Sequence, residues 1–361
     1  MTTEKECFET NQSREAHNLR EVIEAIQEFS NETLVWYRGH ESYDHQLLPT
    51  LYRNKTVNFI SDDDYSYNSI HMAEQMRIQQ YYARDYPFIK DSGNNTVEWL
   101  GMGQHFGMNT RFLDWSLSAI HSIMFALGKY VEDPEYKGGE IPCLWVLKPQ
   151  KMNQMITDRV LFSKNCYEAF TKRYLQDPRE LDALNALEAS IKKIPDEFRK
   201  VFIESNPENK WQHMDYIYNI SYFDRLLAMV KHNPRMAFTG NVINPLFLFL
   251  SMIYIDGTKI EDEAVRRTPL AVIHPLNSER IREQKGVFTV FPFPNKTDYA
   301  NAQDSLEYMR MERNPYLKGS LCKIALLHPR KICNELKTLG VHRSWLFNEP
   351  EYITKEIESG L

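Results

Sequence analysis

The apolar residues of this chain change their period within a few positions, and the change recurs along most of its length. Leu19, Val22, Ile23, Ile26 and Phe29 fall at helical spacing, which predicts an amphipathic helix over Leu19–Phe29. Directly after it, Thr33–Arg38 reads TLVWYR, crowding β-branched and aromatic residues together before Gly39. That composition suits a pleated strand running into a turn. A chain that alternates between these two periods fits neither a pure helix bundle nor a pure sandwich. The expected fold class is α+β, a mixed sheet core with packed helices.

The same reasoning carries on along the chain. Tyr65–Tyr86 returns to a helical pattern, Asp91–Asn95 (DSGNN) is a turn cluster, and Thr96–Phe106 reads as a helix stopping at Gly107. Thr110–Trp115 is a short strand. Ser116 is a candidate cap for a helix over Leu117–Tyr130, where Leu117, Ile120, Met124 and Leu127 recur at three- and four-residue steps. Strand signals resume in CLWVL, within Pro142–Leu147, and again at Leu270–Ile273, Val287–Phe291 and Leu321–Ile324; Ala325–Leu339 reads as a helix ended by Gly340. Between them the chain is long, polar and mostly helical. The expected organisation is an N-terminal helix in residues 1–30, a first core part in 31–148, a helical insertion or subdomain in 149–235, and a second core part in 236–361.

Composition narrows the function classes. A net charge of -6 gives no overall attraction to nucleic acid or to an anionic membrane, so a nucleic-acid partner would need a local basic patch. The five cysteines are scattered, with no CxxC pair, which suggests neither a zinc site nor a disulfide framework and fits a reducing compartment. The first residues, MTTEKECFETNQSREAH, are polar and acidic where a signal peptide needs a basic start and an apolar stretch. The most hydrophobic run, Val242–Ile255, is interrupted by Pro245 and is short for a bilayer span, so it reads as a buried core element. A cytoplasmic protein with no membrane partner is expected.

Common catalytic signatures are missing: the chain has no GxxxxGK[ST], no GxSxG, no HExxH and no GxGxxG after a strand. Polar residues instead gather where strand signals are strongest. The first group is Tyr37-Arg38-Gly39-His40, continued by Leu48–Arg53. An arginine closing an apolar strand is costly to bury unless it holds an anion, its fork suits phosphate or carboxylate, and Gly39 would let a ligand approach the backbone; the alternative is a structural Arg38 paired with an acid. The second group runs from Gly103 to Ser116 and contains Gln104, His105, Thr110, Arg111 and Asp114. Alternation puts Thr110, Phe112 and Asp114 on one face and Arg111, Leu113 and Trp115 on the other, and Arg111 and Asp114 also fit structural roles. His105 fits a satisfied helix-end histidine as well as a catalytic one. The third group, Arg280–Thr289, sets Glu283 and Gln284 just before a strand, where side chains can be aimed into a cleft or can form a solvated turn. The site expected near Tyr37, His105 and Gln284 draws on all three.

Together the segments resemble the FRG-domain family, named for an aromatic-Arg-Gly motif. The resemblance rests on YRGH at Tyr37–His40, LLPTLYR at Leu47–Arg53, QHFGMNTRFLDWS at Gln104–Ser116 and RIREQKGVF at Arg280–Phe288, with Asn109 standing where the family usually has proline. More distantly, the layout is similar to that of arginine-serine-glutamate ADP-ribosyltransferases. That similarity implies NAD as substrate and a macromolecular acceptor, protein or nucleic acid. Arg38 would steady a phosphate or ribose, Thr110 or Ser116 would line the nicotinamide end, and Glu283 or Gln284 would meet the ribose hydroxyls. Cleaving the bond to nicotinamide develops cationic charge on the sugar, which a fixed carboxylate stabilises. The resemblance therefore implies Arg38, His105, Glu283 and Gln284 as catalytic candidates. Tyr37, Arg38, Gly39, Gln104, Thr110, Arg111, Asp114 and Ser116 become candidates for holding the nucleotide. It further implies a transferase or NAD glycohydrolase acting as a toxin or antiphage defence effector. A nucleotide-sensing or interaction module without turnover is the alternative, and a hydrolase using His105 with Asp114 is a third.

Overall fold

The computed structural model of the protein describes residues 12–53, 69–85, 100–161 apart from 102, 105, 106 and 134, 218–219, 250–273 apart from 256, 258 and 259, 283–301, 306–342, and 354, 357 and 358. Within them the chain forms one eight-stranded mixed sheet packed with helices, as expected of an α+β fold. The strands are β1 (Gln12–Ala16), β2 (Trp36–His40), β3 (Phe112–Ser116), β4 (Cys143–Leu147), β5 (Tyr218–Asn219), β6 (Leu270–Ile273), β7 (Gly286–Val290) and β8 (Leu321–Leu326). Their spatial order is β1-β8-β4-β2-β3-β7-β6-β5. The two outer pairings, β1 with β8 and β5 with β6, are parallel, and every pairing between them is antiparallel.

β4 shows how the core is divided. All five of its residues are buried, so the run CLWVL lacks the polar alternation of a half-exposed strand. Its side chains nevertheless alternate between two apolar clusters: Cys143, Trp145 and Leu147 join one, and Leu144 and Val146 join the other. The second cluster also takes Val22 and Phe29 from α1 (Leu19–Ser30), Ile123 and Met124 from α3 (Ala119–Ala126), and Ile332 and Leu336 from α8 (Pro329–Thr338). The first contains Trp36, Leu48, Leu51 and Tyr52, together with Ile70 and Ile78 of α2 (Ser69–Asp85) and Met152, Ile156 and Val160 of α5 (Pro149–Leu161). α4 (Gly128–Glu132), α6 (Glu263–Arg267) and α7 (Lys296–Asn301) are shorter helices.

Helix boundaries follow their caps. Asn18 accepts from Glu21 N at 2.9 Å while the Glu21 carboxylate accepts from His17 N at 2.7 Å, a reciprocal closure of the first turn of α1. Several expected boundaries shift. The helix read over Leu117–Tyr130 is two pieces, α3 and α4, separated at Leu127, and its cap is Ser118; Ser116 lies in β3 and accepts from Ser118 N at 3.0 Å. Ala325 and Leu326 belong to β8, since Pro329 fixes the first turn of α8. β1 was not expected at all, because QSREA offers no apolar alternation; it pairs as an edge strand with β8.

Gly39 does not end β2. The strand continues through His40, and the absent side chain makes room for α3: a Cβ on Gly39 would lie 1.8 Å from Ser122 O and 2.7 Å from Ala126 N.

The stretch read as an insertion enters the core at both of its described pieces. α5 buries three apolar side chains in the first cluster, and Asn153 closes both of its amide bonds on Ala271, at 2.7 and 2.8 Å. Tyr218–Asn219 extends the sheet beside β6. Residues 162–217 and 220–249, including Glu180–Lys193, lie outside the described residues, as do the turn cluster Asp91–Asn95 and most of Thr96–Phe106. Leu250–Ile255, the described end of the most hydrophobic run, is buried. Among the described residues no helix is long and apolar enough to cross a membrane.

Candidate functional site

β2 lies between β4 and β3, and its two neighbours hold it differently. It pairs with β4 over its whole length but with β3 at one position only, Tyr37 opposite Ser116. Past that bridge the two strands diverge, leaving backbone groups that the ladder does not satisfy. Arg38 sits at this point. Its Nη1 donates to Asp114 O at 2.5 Å, and its Nε donates to His40 Nε2 at 2.9 Å, while the Asp114 carboxylate stands 4.0 Å away. Burial pulls the Arg38 pKa below its ordinary value; Asp114 opposes that shift and Arg53 adds to it. The guanidinium keeps one nitrogen, Nη2, without a hydrogen-bond partner among the described residues.

His40 completes this group from the same strand. It is 6% exposed, and because Nε2 accepts from Arg38 the ring proton lies on Nδ1, which is buried with no partner among the described residues. Burial, then the charges of Arg38, His45, Arg53 and Lys323, push its pKa down to about 2. Its unfolded value of 6.5 is higher, so below that value the unfolded chain binds a proton that the folded one refuses. The stabilising contribution is therefore complete above pH 6.5 and is lost as pH falls. We expect the melting midpoint to drop between pH 7 and pH 5, and His40→Gln to flatten that drop. Parallel pH profiles of the two proteins would refute the assignment.

Gln104 and Thr110 hold Asp114. The Gln104 amide donates to Asp114 Oδ1 at 2.6 Å, and its oxygen accepts from the Thr110 hydroxyl, which in turn accepts from Phe112 N at 3.2 Å. The exposed Asp114 carboxylate is thereby aimed beside Arg38 by a residue ten positions earlier in sequence. Ser116, at the end of β3, donates to Gln284 O at 2.7 Å. Glu283 and Gln284 form the turn before β7, which Lys285 closes with a left-handed backbone (φ 50°). The register of Ser116 opposite Gly286 thus brings the second and third groups together at the end of the sheet where Tyr37 lies. The Gln284 Nε2 donor is buried without a partner among the described residues.

Three expected residues occupy other surroundings. Arg111 is 1% exposed and held in folding contacts: Nε meets Glu74 at 2.8 Å, Nη1 meets Tyr254 O at 2.9 Å and Phe291 O at 2.7 Å, and the guanidinium lies 3.7 Å over the Phe293 ring. The space over Gly39, expected to admit a ligand, is filled by α3. Alternation sets Tyr37 and Ser116 on the α3 side of the sheet and Arg38 on the Trp36 and Trp145 side, so Tyr37 approaches the group from behind. His105, Arg280 and Arg282 lie outside the described residues.

Sequence reading passed over two residues that the fold draws in. Arg53 closes the Leu47–Arg53 motif, and its charge is felt at both Arg38 and His40. His121, 4% exposed on the first turn of α3, feels the charges of Lys285 and Glu283. The signal for it was a lone imidazole interrupting the apolar run of Ala119–Ala126. The buried thiols make poor nucleophiles, since burial pushes Cys143 up to about 12 and Cys322 to about 11. Among the described residues no cluster of three or more His, Cys, Asp or Glu could hold a metal ion. An open cleft of about 1060 Å³ lies apart from this group, between Tyr136–Pro142 and the start of α8; Arg330 on its wall is committed to the carbonyls of Tyr130, Asp133 and Tyr136.

Comparison with known proteins bears on the module that carries these residues. No curated protein and no solved structure matches the chain. Residues 33–134, which supply β2, Arg53, Gln104, Thr110, β3 and α3, match the FRG domain, and the chain therefore carries an FRG domain there, with the Glu283–Gln284 turn joining it from beyond that segment.

Proposed function

We propose that this FRG-domain protein binds NAD at the diverging end of β2 and β3 and cleaves its bond to nicotinamide. ADP-ribose passes to a macromolecular acceptor or to water, and the protein acts as a toxin or defence effector. One observation supports the reading: at the shared end of β2, β3 and β7 the Ser116 hydroxyl donates to Gln284 O and stands opposite Tyr37, the residue before Arg38, which itself turns to the other face and meets Asp114 O. The available groups suit a nucleotide. Arg38 has a nitrogen to spare for phosphate or ribose oxygen, and the buried Gln284 Nε2 is a donor that a ligand acceptor would satisfy. Glu283 supplies the carboxylate for the charge that develops on the sugar.

A non-catalytic nucleotide-sensing module is the second reading, favoured by a particular feature. Ser116 meets the Gln284 backbone carbonyl, and the buried side chain at that position is an amide, which can hydrogen-bond a ribose but cannot neutralise a cationic sugar. Release of nicotinamide from NAD, with purified protein and cell lysate as acceptor source, separates the two. The enzyme reading expects release that falls at least about tenfold in Glu283→Gln, the loss of one electrostatic contact to the developing charge. NAD bound without nicotinamide release leaves the sensing module.

Arg38→Lys tests both readings, because lysine keeps the charge and loses the fork. It is expected to weaken NAD binding by about 1–3 kcal/mol while moving unfolding stability far less. A variant that melts much earlier yet binds NAD normally would make Arg38 a stitch between β2 and β3, and both readings would lose their best residue.

A further inference from the structure

Residues 41–46, which follow β2, lie across the sheet and are gripped from beneath by a buried lysine. Lys323 stands on β8 directly opposite Trp145 of β4 and is 3% exposed. Its ammonium lies 3.3 Å from the centre of the Tyr43 ring and 4.8 Å from that of Trp145, and it donates to Tyr43 O. One carbonyl earlier, Ser42 O accepts from the Cys143 thiol at 3.8 Å. The segment thus sets two consecutive carbonyls down on β4 and β8, and the Tyr43 side chain reaches that of Ser13 on β1. The His45 ring packs edge-on against His40, with centroids 5.7 Å apart.

The segment is also bonded to itself. His45 N donates to Ser42 O at 3.2 Å and Asp44 N to Ser42 Oγ at 3.3 Å, which makes residues 42–45 a turn that holds its shape without the sheet. Its two ends are fastened separately, His40 in the ladder with β4, and Leu47 through its N–H on Glu312 and its carbonyl on Met311 N. Between those anchors the grip on the sheet centres on a desolvated ammonium set against aromatic faces. The closed position also has a cost. His40 Nδ1 and Trp145 Nε1 are buried donors with no partner among the described residues, and water would satisfy them on opening. We propose that residues 41–46 are a strap that opens as a unit, and that Lys323 is the latch holding it over His40, Cys143 and Trp145. The strap does not depend on the nucleotide reading; it makes exposure of the His40 face of the sheet a gated event.

Maleimide labelling of the native full chain, resolved peptide by peptide in a mass spectrometer, tests the latch. Cys143 touches the strap, whereas Cys322 and Cys333 are buried in the other apolar cluster and report on opening of the whole fold. Lys323→Met keeps a long stem in place and removes the charge, while Tyr43→Leu keeps bulk on the strap and removes the ring face. Both are expected to speed labelling of Cys143 by about tenfold or more, with the rates at Cys322 and Cys333 and the melting midpoint staying near wild type. Tyr43→Phe keeps the ring face and should stay closer to wild type than Tyr43→Leu. Cys143 labelled at the wild-type rate in both Lys323→Met and Tyr43→Leu overturns the latch. Equal acceleration at all three thiols in Tyr43→Leu overturns the strap, since the change would then have loosened the fold and not one segment of it.

Discussion

Glu74→Ala is expected to destabilise the protein by about 3–5 kcal/mol, the cost of removing one partner from a buried ion pair. Glu74 and Arg111 are each 1% exposed at the side chain, so the guanidinium left behind could not reach water. Glu74 also holds the backbone, accepting from Arg111 N at 3.3 Å, and Arg111 in turn bonds Tyr254 O and Phe291 O. The pair therefore ties α2 to the start of β3, to the buried end of the hydrophobic run and to the residue after β7. Denaturant unfolding should show the loss as a lower midpoint with an unchanged slope. A double change, Glu74→Leu with Arg111→Met, removes both charges and should be less damaging than Glu74→Ala alone. A Glu74→Ala loss below about 1 kcal/mol would mean that the pair reaches solvent, and would return Arg111 to the ligand candidates.

Gly39→Ala should cost about 3 kcal/mol or more, at the upper end of overpacking, for a different reason. The new methyl would meet backbone, Ser122 O and Ala126 N, which cannot swing aside as a flexible side chain can. α3 would have to lift from β2, and with it Ile123, Met124 and Ala126 from the second cluster. The same displacement would move His121 and Ser118. Equal melting midpoints for Gly39→Ala and wild type would show that α3 does not press on β2 as closely as the geometry requires.

The sheet was legible wherever burial left a compositional mark. TLVWYR, CLWVL and LAVI each predict a strand because β-branched and aromatic residues dominate them, and each lies within or overlaps one. β1 left no such mark: an edge strand needs only its backbone to pair, and Ser13 and Glu15 face water. Gly39 was misread as a turn because a glycine that ends a strand and one that admits a helix look alike in sequence. For the candidate site, polar density near strand ends singled out Arg38, Gln104, Asp114, Ser116 and Gln284, which the fold sets on or beside the neighbouring strands β2, β3 and β7. It could not separate Arg111 from them, since a buried arginine and a ligand-binding one carry the same charge and differ only in whether a Glu74 lies opposite. Nor could it place Arg53, because its bond to Leu48 O depends on how the turn after Leu48 folds back.

β8 lies between β1 and β4, so the first and last of the described strands are neighbours: Gln12 stands opposite Cys322, and Ala16 opposite Leu326. During synthesis β1 leaves the ribosome long before its partner exists, and β4 waits with one edge unpaired. Pairings between residues so far apart in sequence form slowly, because the intervening chain must be gathered before any contact rewards it. The exposed edge of β4, entirely apolar in CLWVL, is meanwhile available to other chains. A chain stopped before Leu321 would keep that edge open for good, which makes the last strand a checkpoint on whether the protein accumulates or aggregates.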